Sequence, residues 1–169
     1  MADPDETADP DGTARAGAKV DPHDRALAVE LLARYGEAID AGDFVAVGAL
    51  LGEAELQDAD GNRIAAGRSE IEALYSATTL RHGDGTPMTS HVITNAIVDA
   101  IGPDELEVRS RFVVFQSTDT LALQPVVVGR YVDRVVRDGA GWRFRWRRMI
   151  PERWGDVSEH LSFDPRSLR

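Results

Sequence analysis

The sequence predicts an α+β domain in which three N-terminal helices pack against a long, twisted antiparallel sheet and enclose a pocket. Three observations lead there. Helical periodicity and cap signals occupy the first half of the 169-residue chain. Four long segments rich in β-branched and aromatic residues occupy the second half. The connections between those segments are short enough for an antiparallel meander. The length is that of one domain with its own core, and a composition of 43% hydrophobic and 28% charged residues is that of a soluble globule.

Residues 1–20 carry five acids against two bases, with Pro, Gly and Ala and almost nothing to bury. They read as a disordered acidic tail, and residues 21–169 as a single domain. Asp21-Pro22 opens the first helix, Asp as cap and Pro in the first turn. Ala26, Val29, Leu32, Ala33 and Gly36 then recur at helical spacing, broadened by Leu31 and Tyr35, until Gly42 ends the run. FVAVGALL forms a second short helix. AELQDADGNRIA predicts a strand, a turn at Asp60-Gly61 and a return strand. Ser69 and Glu72 have capping-box spacing, so a third helix is expected from Ser69 to about Thr79. RHGDGTPMTS separates this half from the strands His91–Ala100, Glu105–Ser117, Pro125–Arg137 and Gly141–Ile150, joined by Gly-, Pro- and Asp-rich turns.

Composition removes several function classes. The chain has no cysteine, hence no disulfide, thiol nucleophile or cysteine-ligated metal. A net charge of −10 argues against a nucleic-acid partner. No apolar run reaches the roughly 20 residues that cross a bilayer, and no signal segment opens the chain, so no membrane partner is expected and the location is cytoplasmic. The four histidines, His23, His82, His91 and His160, lack metal-ligand spacing. Neither a dinucleotide fingerprint, a phosphate loop nor a nucleophile elbow occurs, so no metal and no cofactor is expected.

The order of elements is similar to that of the nuclear-transport-factor-2-like superfamily. YGEAIDAGDFVAVGALL resembles the first-helix segment of SnoaL-like polyketide cyclases, scytalone dehydratases and ring-hydroxylating dioxygenase β subunits. SHVITNAIVD resembles their first long strand, and VVVGRYVDRVVRDGAGWRFRWRRMI their last hairpin. Even ERWGD looks like the dehydratase tail. The resemblance spans about residues 25 to 156 and implies a cone-shaped curved sheet around one pocket. It further implies acid–base chemistry on a hydrophobic small molecule in secondary metabolism, as a dehydratase, isomerase or cyclase without a cofactor. A β-subunit-like partner of an oxygenase and a plain ligand-binding protein are the alternatives.

The resemblance points to Asp40 and His91 as a catalytic pair, the carboxylate orienting the imidazole and the other ring nitrogen handling a substrate proton. Each also has an ordinary role open to it, Asp40 as a helix cap and His91 as a strand-end residue. The dehydratase pattern is broken where Ile39 replaces a pocket tyrosine, Asp58 a second tyrosine, Gln116 or Phe115 a second histidine, and Val127 an asparagine. Strand parity places Leu106, Val108, Ser110, Phe112, Val114 and Gln116 on one inner face, with Val127, Gly129, Tyr131, Asp133 and Val135 on the next. Trp142, Phe144 and Trp146 follow on the last strand. Tyr35, Asp58, Phe112, Gln116, Tyr131 and Trp146 are the candidate substrate-binding residues, the aromatics serving either as pocket wall or as core. The same alternation puts Arg143, Arg145 and Arg147 on the outer face, beside Arg109 and Arg111, as a solvated or homodimer surface. RWGDVSEHLSFDPRSLR either closes over the pocket or docks on a neighbouring subunit.

Overall fold

A computed structural model describes residues 19–168. All but the last two residues of the expected acidic tail lie outside the described residues. Helix α1 spans Pro22–Asp40 and α2 Phe44–Leu51; strands β1 (Glu55–Gln57) and β2 (Arg63–Ala66) form a hairpin; α3 spans Gly67–Thr78. The long strands are β3 (Thr89–Gly102), β4 (Glu105–Gln116), β5 (Gln124–Asp138) and β6 (Gly141–Trp154). A 3-10 turn, Pro165–Leu168, closes the described chain. Among the described residues no helix is long and apolar enough to cross a membrane.

Local chemistry accounts for the helix ends. The Asp21 carboxylate accepts from the His23 and Asp24 backbone N–H groups, and Pro22 stands in the first turn. At the other end Gly42 takes φ +69°, a left-handed turn that a side chain disfavours, and Asp43 then caps α2 by accepting from Ala46 N–H at 2.9 Å. The buried stripe of α1 is Ala28, Leu32, Tyr35 and Ile39, with Gly36 beside it, whereas Ala26 and Ala33 are exposed. Alanine fits either side of a helix, so the large residues set the phase. The expected Ser69 capping box is not formed: α3 begins two residues earlier, and the Glu70 carboxylate accepts from Ala66 N–H at 2.9 Å.

The six strands lie in the order β2-β1-β6-β5-β4-β3. The meander is antiparallel as expected, but the sheet is mixed, because β1 runs parallel to β6 with Glu55–Gln57 opposite Trp146–Arg148. The helices cover the concave face, where the core gathers. On β4 every second residue from Leu106 to Gln116 is buried.

Irregularities bend the sheet. In β3 the register shifts between Thr94 and Ile97, and Asn95 stands at φ +55°. In β6 it shifts twice against β5: Arg134 and Val135 face Trp146 and Phe144, leaving Arg145 unpaired, and Val128 and Gly129 face Arg153 and Pro151, leaving Glu152 unpaired. The first shift overturns simple alternation. Trp142 and Phe144 point inward, but after Arg145 the inward residue is Arg147, fully buried, and Trp146 turns outward. There Trp146 lies between Arg134 and Arg148, their guanidinium carbons 5.2 and 5.5 Å from its ring centre. Five outer arginines are matched by acids: Arg109 with Asp99, Arg111 and Arg130 with Glu152, Arg134 with Glu107, Arg145 with Glu105.

Buried Arg147 meets Asp133 of β5 through two bonds, Nε to Oδ1 at 2.7 Å and Nη2 to Oδ2 at 2.9 Å, with neither side chain exposed. Its guanidinium also packs over the rings of Tyr35, Tyr131 and Phe144, 4.2, 4.3 and 4.8 Å from their centres. Burial pushes the Asp133 carboxyl above its ordinary value, with Arg147 opposing the shift.

Candidate functional site

The cavity between the helices and the sheet has a volume of about 220 Å³. Its walls are Tyr35 and Ile39 of α1, Leu74 and Tyr75 of α3, Phe112 and Val114 of β4, and Tyr131 of β5, with Met149 and Trp154 of β6. An apolar cavity of about 150 Å³ accepts benzene, so this one has room for a ligand of one or two rings. Gly129 makes part of that shape: a Cβ there would stand 2.7 Å from the Phe112 ring, which lies across the glycine and stacks on Tyr131 at 4.3 Å.

The segment after β6 completes the enclosure. His160, Leu161 and Phe163 line the cavity. Leu80 N–H donates to the His160 carbonyl at 2.9 Å, and Ser162 N–H to the Thr78 carbonyl at 2.9 Å. Gln116 acts as a clasp, its Nε2 donating to the Pro87 and Glu159 carbonyls at 3.0 and 2.9 Å. His82, in the loop after α3, meets the same Glu159 carbonyl at 3.0 Å. Of the two roles open to the C-terminal segment, the first is the one observed.

Asp40 sits at the end of α1 and His91 near the start of β3, an outer strand of the sheet, so the carboxylate reaches strand groups that no neighbouring strand covers. Asp40 Oδ1 lies 2.6 Å from His91 Nδ1 and accepts from the Thr89 hydroxyl at 2.7 Å. Oδ2 accepts from the His91 backbone N–H at 2.7 Å. Burial pushes the Asp40 carboxyl up, but the hydrogen bonds and charge of His91, with help from Thr89, outweigh it and hold the group below its ordinary value. An ionised carboxylate only accepts, so Nδ1 carries the hydrogen and Nε2 is the ring nitrogen left for chemistry. The His91 ring lines the cavity and its side chain is 4% exposed.

Beside it the Tyr35 and Tyr75 hydroxyls stand 2.9 Å apart. Burial pushes the Tyr75 and Tyr131 phenols well above their ordinary range. Both remain protonated at neutral pH, able to donate a hydrogen bond and unable to act as bases.

The structure thus brings Tyr35, His91, Phe112 and Tyr131 to one cavity, with Asp40 directly behind His91. Three expected pocket residues are elsewhere. Asp58 belongs to the β1–β2 turn, where its carboxylate accepts from the Asp60 and Asn62 N–H groups at 3.0 and 2.8 Å. Gln116 is inward but spends its amide on the clasp, and Trp146 is outside because of the bulge at Arg145. Tyr75 and His160 were missed by sequence reasoning. Tyr75 was within reach, lying four residues after buried Ile71 on one face of α3. His160 carries no signal in its spacing.

A model of the SnoaL-like domain family matches residues 22–148. No curated protein matches the chain. Among solved structures, an NTF2-like protein with a cystatin-like fold from Novosphingobium aromaticivorans is 26% identical, with a TM-score of 0.64, covering 80% of this chain and 86% of that one. A protein provisionally assigned as a scytalone dehydratase, from the same species, is 24% identical with a TM-score of 0.62 and coverages of 78% and 86%. A β subunit provisionally assigned to an aromatic-ring-hydroxylating dioxygenase, again from that species, is 18% identical with a TM-score of 0.62 and coverages of 82% and 95%.

Proposed function

The chain belongs to the SnoaL-like domain family, and we propose that it is an acid–base enzyme, a dehydratase, isomerase or cyclase acting on a small, mostly apolar, carbonyl-bearing molecule. The observation that carries this reading is the 2.6 Å contact between Asp40 and His91 at the wall of an apolar cavity. Asp40 fixes the ring by accepting its Nδ1 hydrogen. His91 Nε2 then removes a proton from carbon next to the carbonyl, and the carboxylate balances the imidazolium that forms. The same proton returns to a departing hydroxyl in a dehydration, or to a different carbon in an isomerisation. The protonated phenols of the pocket donate to the oxygen on which negative charge develops. In the same reading the protein is a homodimer formed through the outer sheet face, on which Trp146 lies.

A second reading, a non-catalytic β-subunit-like partner of a ring-hydroxylating oxygenase, draws on the likeness to the dioxygenase β subunit. A carboxylate-held imidazole facing an open apolar cavity favours the enzyme.

The test is hydrogen–deuterium exchange at the α-carbon of 2-tetralone, a two-ring ketone, followed by NMR in D2O. The wild type accelerates exchange above background, and His91→Asn and Asp40→Asn each remove about 10²-fold or more of that acceleration. Exchange at the background rate, or variants as fast as wild type, would remove the proposal.

A further inference from the structure

The dyad uses one of two imidazoles that line the cavity. The other, His160, belongs to the segment that closes it. It is 6% exposed, and its Nδ1 is buried without a hydrogen-bond partner. Among the described residues its ring forms no hydrogen bond, whereas its backbone is firmly held: its N–H donates to the Val157 carbonyl at 3.0 Å and its carbonyl accepts from Leu80 N–H at 2.9 Å. Nδ1 is closed off, one of six such side-chain atoms among the described residues, whereas Nε2 also lacks a partner but is not sealed, so it is the ring nitrogen that a ligand in the cavity can reach. Nearby groups that offer bonds do not supply one. The Gln116 Nε2 goes to Pro87 and Glu159 while its Oε1 is itself without a partner, and the Tyr35 and Tyr75 hydroxyls bond each other.

We propose that His160 is a further catalytic residue, a neutral imidazole whose ring hydrogen bonds the carbonyl oxygen of the substrate while His91 exchanges the proton on the adjacent carbon. The inference deepens the proposed proton-transfer reading and rests on it for the class of ligand. Burial, then the charge of His91, push the His160 imidazole down to about 4, with Asp40 opposing. It is therefore uncharged at neutral pH. The two rings have different surroundings in one cavity: His91 is backed by a carboxylate that can balance the charge of a proton taken up, and His160 has no such partner. An enolate-forming site needs both, a group that accepts the carbon proton and a donor at the oxygen where charge accumulates. A ligand held this way has its oxygen between His160 and the pocket phenols and apolar surface against the remaining walls.

The test compares 2-tetralone with tetralin, which has the same rings without the oxygen. In wild type labelled at the histidine ring nitrogens, 2-tetralone shifts the His160 signals, identified by their loss in His160→Gln, and tetralin leaves them in place. In His160→Phe the dissociation constant of 2-tetralone rises about tenfold, the value of one hydrogen bond, with tetralin changed less than twofold. His160→Gln, which retains a donor, recovers most of the difference. The proposal is overturned if the wild-type His160 signals do not respond to 2-tetralone, if 2-tetralone fails to bind, or if His160→Phe weakens both ligands alike. The titration of wild type decides the matter should the Phe variant not fold. Discrimination through His160 with no α-carbon exchange would sink the enzyme reading and the catalytic role of His160 with it, leaving His160 as a ligand-binding residue. Exchange that persists unaltered in His160→Phe would sink this inference alone.

Discussion

Arg147→Met isolates the buried ion pair. Methionine keeps an unbranched stem under Tyr35, Tyr131 and Phe144 but removes both hydrogen bonds to Asp133, at 2.7 and 2.9 Å, together with the charge. Asp133 is left fully buried with no counter-charge. Breaking a buried pair from one side costs about 3–5 kcal/mol, because the remaining charge keeps its desolvation penalty. The carboxyl is already pushed up by burial with Arg147 present, and further once Arg147 is gone. The folded variant then holds a proton that the unfolded chain releases above its ordinary 3.8. A raised folded-state pKa gives stability that is present at low pH and lost as pH rises, at about 1.4 kcal/mol per unit. Urea unfolding of variant and wild type, compared at each pH, reads the difference. We expect a deficit of about 3–5 kcal/mol at pH 7.5 that is smaller at pH 5.5. Asp133→Leu combined with Arg147→Met abolishes the deficit, since neither charge then needs a partner. A single-variant loss below about 1 kcal/mol, or a deficit equal at both pH values, would refute the reasoning.

Two other perturbations probe the cavity. With an ordinary value of 6.5 and a folded value of about 4, His160 leaves stability untouched above 6.5 and removes it progressively as pH falls toward the folded value. Wild type should lose roughly 2–3 kcal/mol more than His160→Gln between pH 7.5 and 4.5 in urea unfolding, and parallel curves would contradict the neutral burial of that ring. Gly129→Ala forces a methyl against the Ile150 carbonyl oxygen of the neighbouring strand and to 2.7 Å from the Phe112 ring. It should lower stability by about 1–3 kcal/mol and weaken 2-tetralone binding as Phe112 shifts, whereas an unchanged melting temperature would mean that the strand and the ring both yield without cost.

Much of the fold was legible because it is written in local signals. Asp21-Pro22 and Gly42 bracket α1, Asp60-Gly61 turns the short hairpin, and the alternation in β4 gives its buried face without error. The Asp40–His91 meeting was legible only through resemblance: the residues are far apart in sequence, and nothing in periodicity brings a helix end to a strand start. Three features escaped. Trp146 and Arg147 exchanged faces because a bulge adds one residue without changing the β-like composition of RFRWRR. Ser69 has capping-box spacing, yet Glu70 takes the Ala66 N–H once α3 starts at Gly67. His160 lies in an irregular segment held by backbone bonds to Leu80 and the Thr78 region, contacts that depend on tertiary arrangement alone.

The two unpaired residues of β6, Arg145 and Glu152, set a reading frame for the strand between them. Arg147, Met149 and Pro151 are inward only because Arg145 has already been counted. A change of side chain at position 145 alters one exposed group, but a deletion there would bring Trp146 into the core and send the partner of Asp133 into solvent. Along this stretch inheritance must conserve the number of residues more strictly than their identity. Related chains are therefore expected to differ freely at position 145 and to keep the same count across it.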